Sequence, residues 1–136
     1  MRKFIVIFPI LLLGMLVAGT LYAQNGIASL KGDIPFSFLV ADKSLPEGTY
    51  VIKVVSPGIT KIVDSANNSA VVFQTVPVAN GKTVAPMFVF RRYGDIYYLA
   101  QIWNGSNEGT AVPKTTKELQ VAKNYKAPET IYVAAK

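Results

Sequence analysis

Within the stretch FVFRRYGDIYYLAQIW, residues 88–103, two arginines, three tyrosines and the chain's only tryptophan surround a Gly94-Asp95 pair. Aromatic rings stack on sugars or peptide groups and guanidinium groups hold anions, so Arg91, Arg92, Tyr97, Tyr98 and Trp103 are the binding candidates. The simpler reading is structural: the tyrosines tile a sheet surface, while the arginines satisfy their phenols and cover apolar area with their stems. Either way the chain must turn here. A glycine at the first of two central positions, between two apolar-aromatic runs, predicts a hairpin closed by a type II′ turn. The register that follows puts Tyr93 opposite Ile96, Arg92 opposite Tyr97, Arg91 opposite Tyr98, Phe90 opposite Leu99, Val89 opposite Ala100 and Met87 opposite Ile102. Each arginine then meets a tyrosine, a contact worth about 0.5–1 kcal/mol when exposed. Farther from the turn, Phe88, Phe90 and Leu99 share one face and Met87, Val89, Ala100 and Ile102 the other, as in a central hairpin covered on both sides.

Other chemistry is narrowed by what the chain lacks. With no histidine and no cysteine, thiol catalysis, Ser-His triads and the usual zinc, copper or iron sites have no ligands, and neither a metal nor a cofactor is expected. The eight acidic residues fall mainly in turns or at the one helical segment, where solvation or capping accounts for them. An alternative reading makes the protein a small hydrolase or lyase using Tyr, Arg, Lys and carboxylate groups in a barrel mouth. It requires a concave pocket joining Arg91 or Arg92 to an acid such as Asp33. No S-x-x-K occurs to support a Ser-Lys dyad. The triplets Asn67-Asn68-Ser69 and Asn104-Gly105-Ser106 match a glycosylation acceptor, but these are also ordinary turn residues.

The elements that must carry the hairpin begin after a leader. Arg2 and Lys3 precede an uncharged apolar run that ends at Leu21-Tyr22-Ala23, which reads as a signal peptide over residues 1–23 cleaved between Ala23 and Gln24. The alternative is an uncleaved leader that tethers the protein to the inner membrane, since the run is about 20 residues long. Residues 24–136 form a single domain, roughly 113 residues, large enough to hold a core without disulfides. Arg2 and Lys3 leave with the leader, so 12 of the 14 basic residues face 8 acidic ones, a net charge of +4. That balance suits solubility and weak contact with polyanions and, with no run of basic residues, does not point to nucleic acid.

After position 30 the apolar residues alternate with period two in short runs punctuated by Gly, Pro, Asn and Asp, which predicts strands. Ile34, Phe36, Phe38 and Val40 share a face of the first strand, and "DKSLPEGTY" is the first connection. Tyr50–Val55, Ile59–Val63 and Ala70–Val76 follow, the last with Val71 and Phe73 on one face. In "VPKTTKELQVAKNYKAPE", Thr115 and Glu118 form a capping box, Leu119, Ala122 and Tyr125 share an apolar face, and Lys114, Lys117, Lys123 and Lys126 make the rest basic. Those lysines read either as a solvated face or as a docking surface for anionic envelope polymers or phospholipid headgroups. "ETIYVAAK" offers a last strand. The expected fold is mainly β: a small antiparallel β-sandwich or partly open β-barrel of about seven or eight strands with one C-terminal α-helix.

Three stretches, "DIPFSFLVADKSLPEGTYVIKVVSPG", "FVFRRYGDIYYLAQIW" and "VPKTTKELQVAKN", together resemble a family of small exported bacterial all-β proteins of no known activity. Pro35-Phe36, Leu45-Pro46-Glu47-Gly48-Thr49-Tyr50, Tyr93-Gly94-Asp95, Trp103 and Pro113-Lys114-Thr115 stand at its recurrent positions. That family often carries a histidine where Arg91 stands here, so a histidine ligand or base has no counterpart. The resemblance implies export and a compact β domain. The expected function is an exported, non-enzymatic binding or structural module, periplasmic or extracellular, with an anionic envelope polymer, a glycan or a protein as partner and no nucleic acid. Contact with the membrane would come only through an uncleaved leader.

Overall fold

A computed structural model describes residues 29–136; the leader and the Ala23–Gln24 junction lie outside the described residues. Eleven strands and one helix follow in order: β1 (Ser29–Ile34), β2 (Phe38–Val40), β3 (Lys43–Leu45), β4 (Gly48–Ser56), β5 (Ile59–Asp64), β6 (Ala70–Gln74), β7 (Val76–Ala79), β8 (Met87–Tyr93), β9 (Ile96–Trp103), β10 (Glu108–Ala111), α1 (Thr116–Ala122) and β11 (Glu129–Ala134). They form two sheets, one in the order β1-β4-β5-β6 and the other β11-β8-β9-β10-β7, with β2 beside the first half of β9 and β3 beside β2. The sheets stack as a sandwich and do not close into a barrel.

The expected strand count is too low for definite reasons. The first strand is two, because Pro35 lacks an N–H to continue the ladder and the chain passes from the β1-β4 sheet to the β9 sheet around it. Within the supposed first connection, Ala41 and Asp42 both adopt positive φ (48° and 67°). Two successive left-handed residues make a two-residue turn of type I′, so Lys43–Leu45 returns as β3. The run from Ala70 likewise changes sheets at Thr75, giving β6 and β7, and β10 comes from the loop after Trp103.

Alternation then builds the core. Ile34, Phe38, Val40, Tyr50, Ile52, Ile62, Phe73, Phe88, Phe90 and Leu99 are all buried in the cluster between the sheets, and Phe36 leans on it from the edge. Rings meet edge-to-face where the layers interlock, Phe38 with Tyr50 at 5.1 Å and with Phe90 at 5.5 Å, the arrangement the aromatic quadrupole favours. One long side of the sandwich is laced: Lys31 and Lys136 exchange backbone hydrogen bonds at 3.0 and 2.8 Å. On the other side, β6 and β7 are the outer strands of their sheets.

The hairpin β8–β9 is central to its sheet, and Gly94 sits at φ +60° with Asp95 at negative φ, as a type II′ turn requires. The expected pairing holds from Tyr93↔Ile96 to Phe90↔Leu99 and then slips: Val89 pairs with Gln101, Phe88 with Ile102 and Met87 with Trp103. Ala100 is the extra residue of a β-bulge. The bulge turns Ile102 into the core beside Phe88 and Phe90, correcting its expected place on the Met87 and Val89 face, and sends Gln101 and Trp103 to the outer face.

The helix also departs from its expected orientation. Thr115 is the N-cap and accepts the Glu118 N–H at 3.1 Å, but Leu119 is half exposed and the one buried residue of α1 is Glu118. Of the expected apolar face, Ala122 is half-buried and Tyr125, past the end of the helix and 40% exposed, rests against Tyr93 and Gly94, so the inward position is taken by Glu118 instead of Leu119. All four lysines, Lys114, Lys117, Lys123 and Lys126, are exposed, as on a solvated face.

Candidate functional site

The outer face of the hairpin is where the sequence concentrates its chemistry. Arg91 and Tyr93 project from β8 on the side away from the core, and α1 crosses over them. Glu118 points down from the helix and receives three donors: Arg91 Nε on Oε2 at 2.6 Å, Arg91 Nη2 on Oε1 at 2.9 Å and Tyr93 OH on Oε2 at 2.8 Å. Arg91 also reaches the Val112 carbonyl at 3.5 Å. Glu118 is 2% exposed and Tyr93 1%, so this is a buried, bidentate ion pair with a phenol as third member. Asp42, set by its left-handed turn, accepts from the Thr115 hydroxyl at 2.7 Å and ties β2–β3 to the same helix end. Tyr125 closes the cluster over Gly94: a Cβ there would lie 2.8 Å from the tyrosine ring, so only glycine permits the approach.

The electrostatics describe a clamp. Burial works against the charged form of Arg91, yet its bonds to Glu118 and the facing carboxylate charge outweigh that and raise its pKa. For Tyr93, burial first, then the hydrogen bond to Glu118 and its negative charge, push the phenol up to about 12. Burial, with the charges of Asp42 and Glu118, also raises Tyr98. A phenol so far above neutrality is a poor base or nucleophile, and a carboxylate holding three donors has little capacity left for a substrate.

The remaining sequence candidates are also occupied. Arg92, on the opposite face of β8, donates to the Gly94 carbonyl at 2.7 Å and lies 5.5 Å from the Tyr97 ring centroid, so one of the two expected arginine–tyrosine contacts is a cation–π pair and the other is replaced by the Arg91–Glu118 bond. Tyr97 is stacked on Phe36 at 3.8 Å, and Tyr98 is buried edge-to-face with Tyr93. Trp103 donates its indole N–H to Gln101 at 3.0 Å and lays its ring over Gly109 on β10, where a Cβ would come within 2.7 Å of it. The acids behave similarly: Asp33 accepts from Thr49, and the hollow it lines is shared with Lys31, Gly32 and Lys136 instead of Arg91 or Arg92. Asn67 and Asn104 cap their own turns through Ser69 and Ser106. Among the described residues no three acidic side chains gather as a metal site, and no helix is long and apolar enough to cross a membrane.

What stays open is a groove of about 440 Å³ on the same outer face, beside the clamp. Arg91 and Trp103 both border it, so the structure brings these two candidates together, with Gln101, Asn80, Thr130 and Tyr132. Tyr132, on β11 opposite Val89, is 66% exposed and is the aromatic face still free to stack. Tyr132 is not among the sequence candidates, and the signal for it is the alternation of Thr130 and Tyr132 against Ile131 and Val133 in the last strand. In comparison with known proteins, no family model matches the chain, and no curated protein or solved structure does either.

Proposed function

We propose that the protein is an exported, non-catalytic binding module of the cell envelope or extracellular space, and that it takes a glycan along the groove beside Tyr132. The observation that carries this reading is a solvent-facing aromatic ring set in a concave wall of hydrogen-bonding groups, next to acid–base groups already saturated by one another. A sugar ring presents an apolar face to stack on Tyr132 and hydroxyls for Asn80, Gln101 and Thr130. A glycan is favoured over an anionic polymer because Arg91, which borders the groove, is neutralised by Glu118. The leader sequence and the resemblance to small exported proteins support export.

The test is equilibrium titration of the purified protein with a panel of neutral oligosaccharides and with polygalacturonate as the anionic control. Saturable binding to a neutral oligosaccharide, weakened at least about tenfold by Tyr132→Ala with an unchanged unfolding midpoint, supports the reading. Absence of saturable binding, preference for the polyanion, or indifference to Tyr132→Ala overturns it.

A further inference from the structure

The two ends of the space between the sheets are filled differently. Where Phe38, Tyr50 and Phe90 meet, aromatic rings interlock; where Leu30, Ile52 and Ile102 meet, smaller aliphatic groups leave a cleft of about 330 Å³. Those three residues are nearly buried, and Val54 on β4, 44% exposed, forms the wall at the mouth. Protein interiors rarely leave voids much larger than a water molecule, and a hollow of this size falls at the lower end of small-ligand pockets.

Its polar features are few and specific. Thr60 and Thr75 both line the cleft, 1% and 6% exposed, with their hydroxyl oxygens 3.1 Å apart. Two hydroxyls carry two protons, and their mutual bond uses one. The hydroxyl that accepts in that bond keeps a proton with no acceptor among the described side-chain hydrogen bonds. A buried donor in that state favours a ligand oxygen over an aliphatic wall. Among the described residues, Glu108 at the rim is the one charged residue lining the cleft, and it disfavours an anionic head.

We infer that this cleft binds a small uncharged lipophile with a single oxygen acceptor, an alcohol or ketone of about ten heavy atoms if each fills roughly the 30 Å³ of a liquid water. The apolar body lies against Leu30, Ile52 and Ile102, and the oxygen accepts from the Thr60–Thr75 pair. The site lies on the opposite face of the β8–β9 sheet from the Tyr132 groove, so it stands or falls independently of the glycan reading.

The probes are 1-octanol and sodium octanoate, followed by amide chemical shifts of the purified protein at neutral pH. Expected is saturable movement of the Leu30, Ile52 and Ile102 amides with 1-octanol, and binding of octanoate weaker by about tenfold or more. Val54→Trp, an exposed position at the mouth, blocks entry and abolishes the octanol shifts while the unfolding midpoint holds. Glu108→Gln narrows the gap between the two probes by strengthening octanoate. No saturable shift at the three amides, octanoate binding as tightly as octanol, or undiminished octanol binding in Val54→Trp overturns the inference.

Discussion

The two faces of the β8–β9 sheet solve the same problem, covering a strand pair, with opposite materials. On the outer face a helix closes over the strands through a polar contact: Glu118 enters where an apolar side chain would be expected and accepts three hydrogen bonds from Arg91 and Tyr93. On the inner face the cover is a second sheet, and at the Thr60–Thr75 end its smaller side chains leave space unfilled. A buried polar cluster is tolerated only when every member is satisfied, which fixes its geometry; an apolar wall has no such demand and can receive a guest. The clamp is accordingly the rigid side of the sheet and the cleft the adaptable one.

The largest effect should come from breaking the clamp. Glu118→Ala leaves Arg91 as a half-buried cation and Tyr93 without its acceptor, and loss of one member of a buried pair typically costs about 3–5 kcal/mol. Urea unfolding followed by circular dichroism measures it. The paired replacement Arg91→Met with Glu118→Leu should recover most of that stability, since an apolar pair has no stranded charge. A loss below about 1 kcal/mol for Glu118→Ala would mean that the helix is held by other contacts and that the two faces do not differ as argued.

A smaller effect appears only in alkali. Tyr93 releases its proton at about 12 in the folded protein against about 10 in an unfolded chain. Below pH 10 both states keep the proton and the full stability is present. As pH rises from about 10 towards 12 the unfolded chain deprotonates while the folded one does not, and stability falls. Burial displaces Tyr50 and Tyr98 in the same direction, adding to the decline. The urea midpoint should stay level to about pH 10 and then drop, with a shallower drop in Tyr93→Phe than in the parent protein. Equal slopes in the two would remove Tyr93 from the account.

Local rules made much of the sandwich legible and left the clamp hidden. The Gly94 turn sets pairing near it, so the register to Phe90↔Leu99 follows from the sequence, and alternation identifies Ile34, Phe38, Phe73 and Leu99 as core. The bulge at Ala100 carries no glycine or proline mark, so the fate of Ile102 and Trp103 was not readable. The turn at Ala41-Asp42 hid β3 for a related reason: alanine seldom accepts positive φ, and nothing local announces it. Glu118 was misread because a capping box explains a glutamate three residues after a threonine without reference to the rest of the chain. Its actual partners, Arg91 and Tyr93, lie on strand β8, and only the tertiary fold brings them under the helix.

The smallest expected effect separates the two adjacent arginines. Arg92 faces the opposite side from Arg91, with its side chain 36% exposed, a carbonyl bond across the turn, a ring contact to Tyr97 and a 3.7 Å approach to an exposed Glu129. Each of these competes with water. An exposed cation–π contact is worth about 0.5–1 kcal/mol and an exposed ion pair no more than that, so Arg92→Ala should cost on the order of 1 kcal/mol in the same urea experiment. Arg91→Ala should cost several times as much, because it strands the buried Glu118 carboxylate. The same residue type at neighbouring positions then differs by its face of the strand alone, and equal costs for the two substitutions would show that burial of the clamp has no energetic consequence.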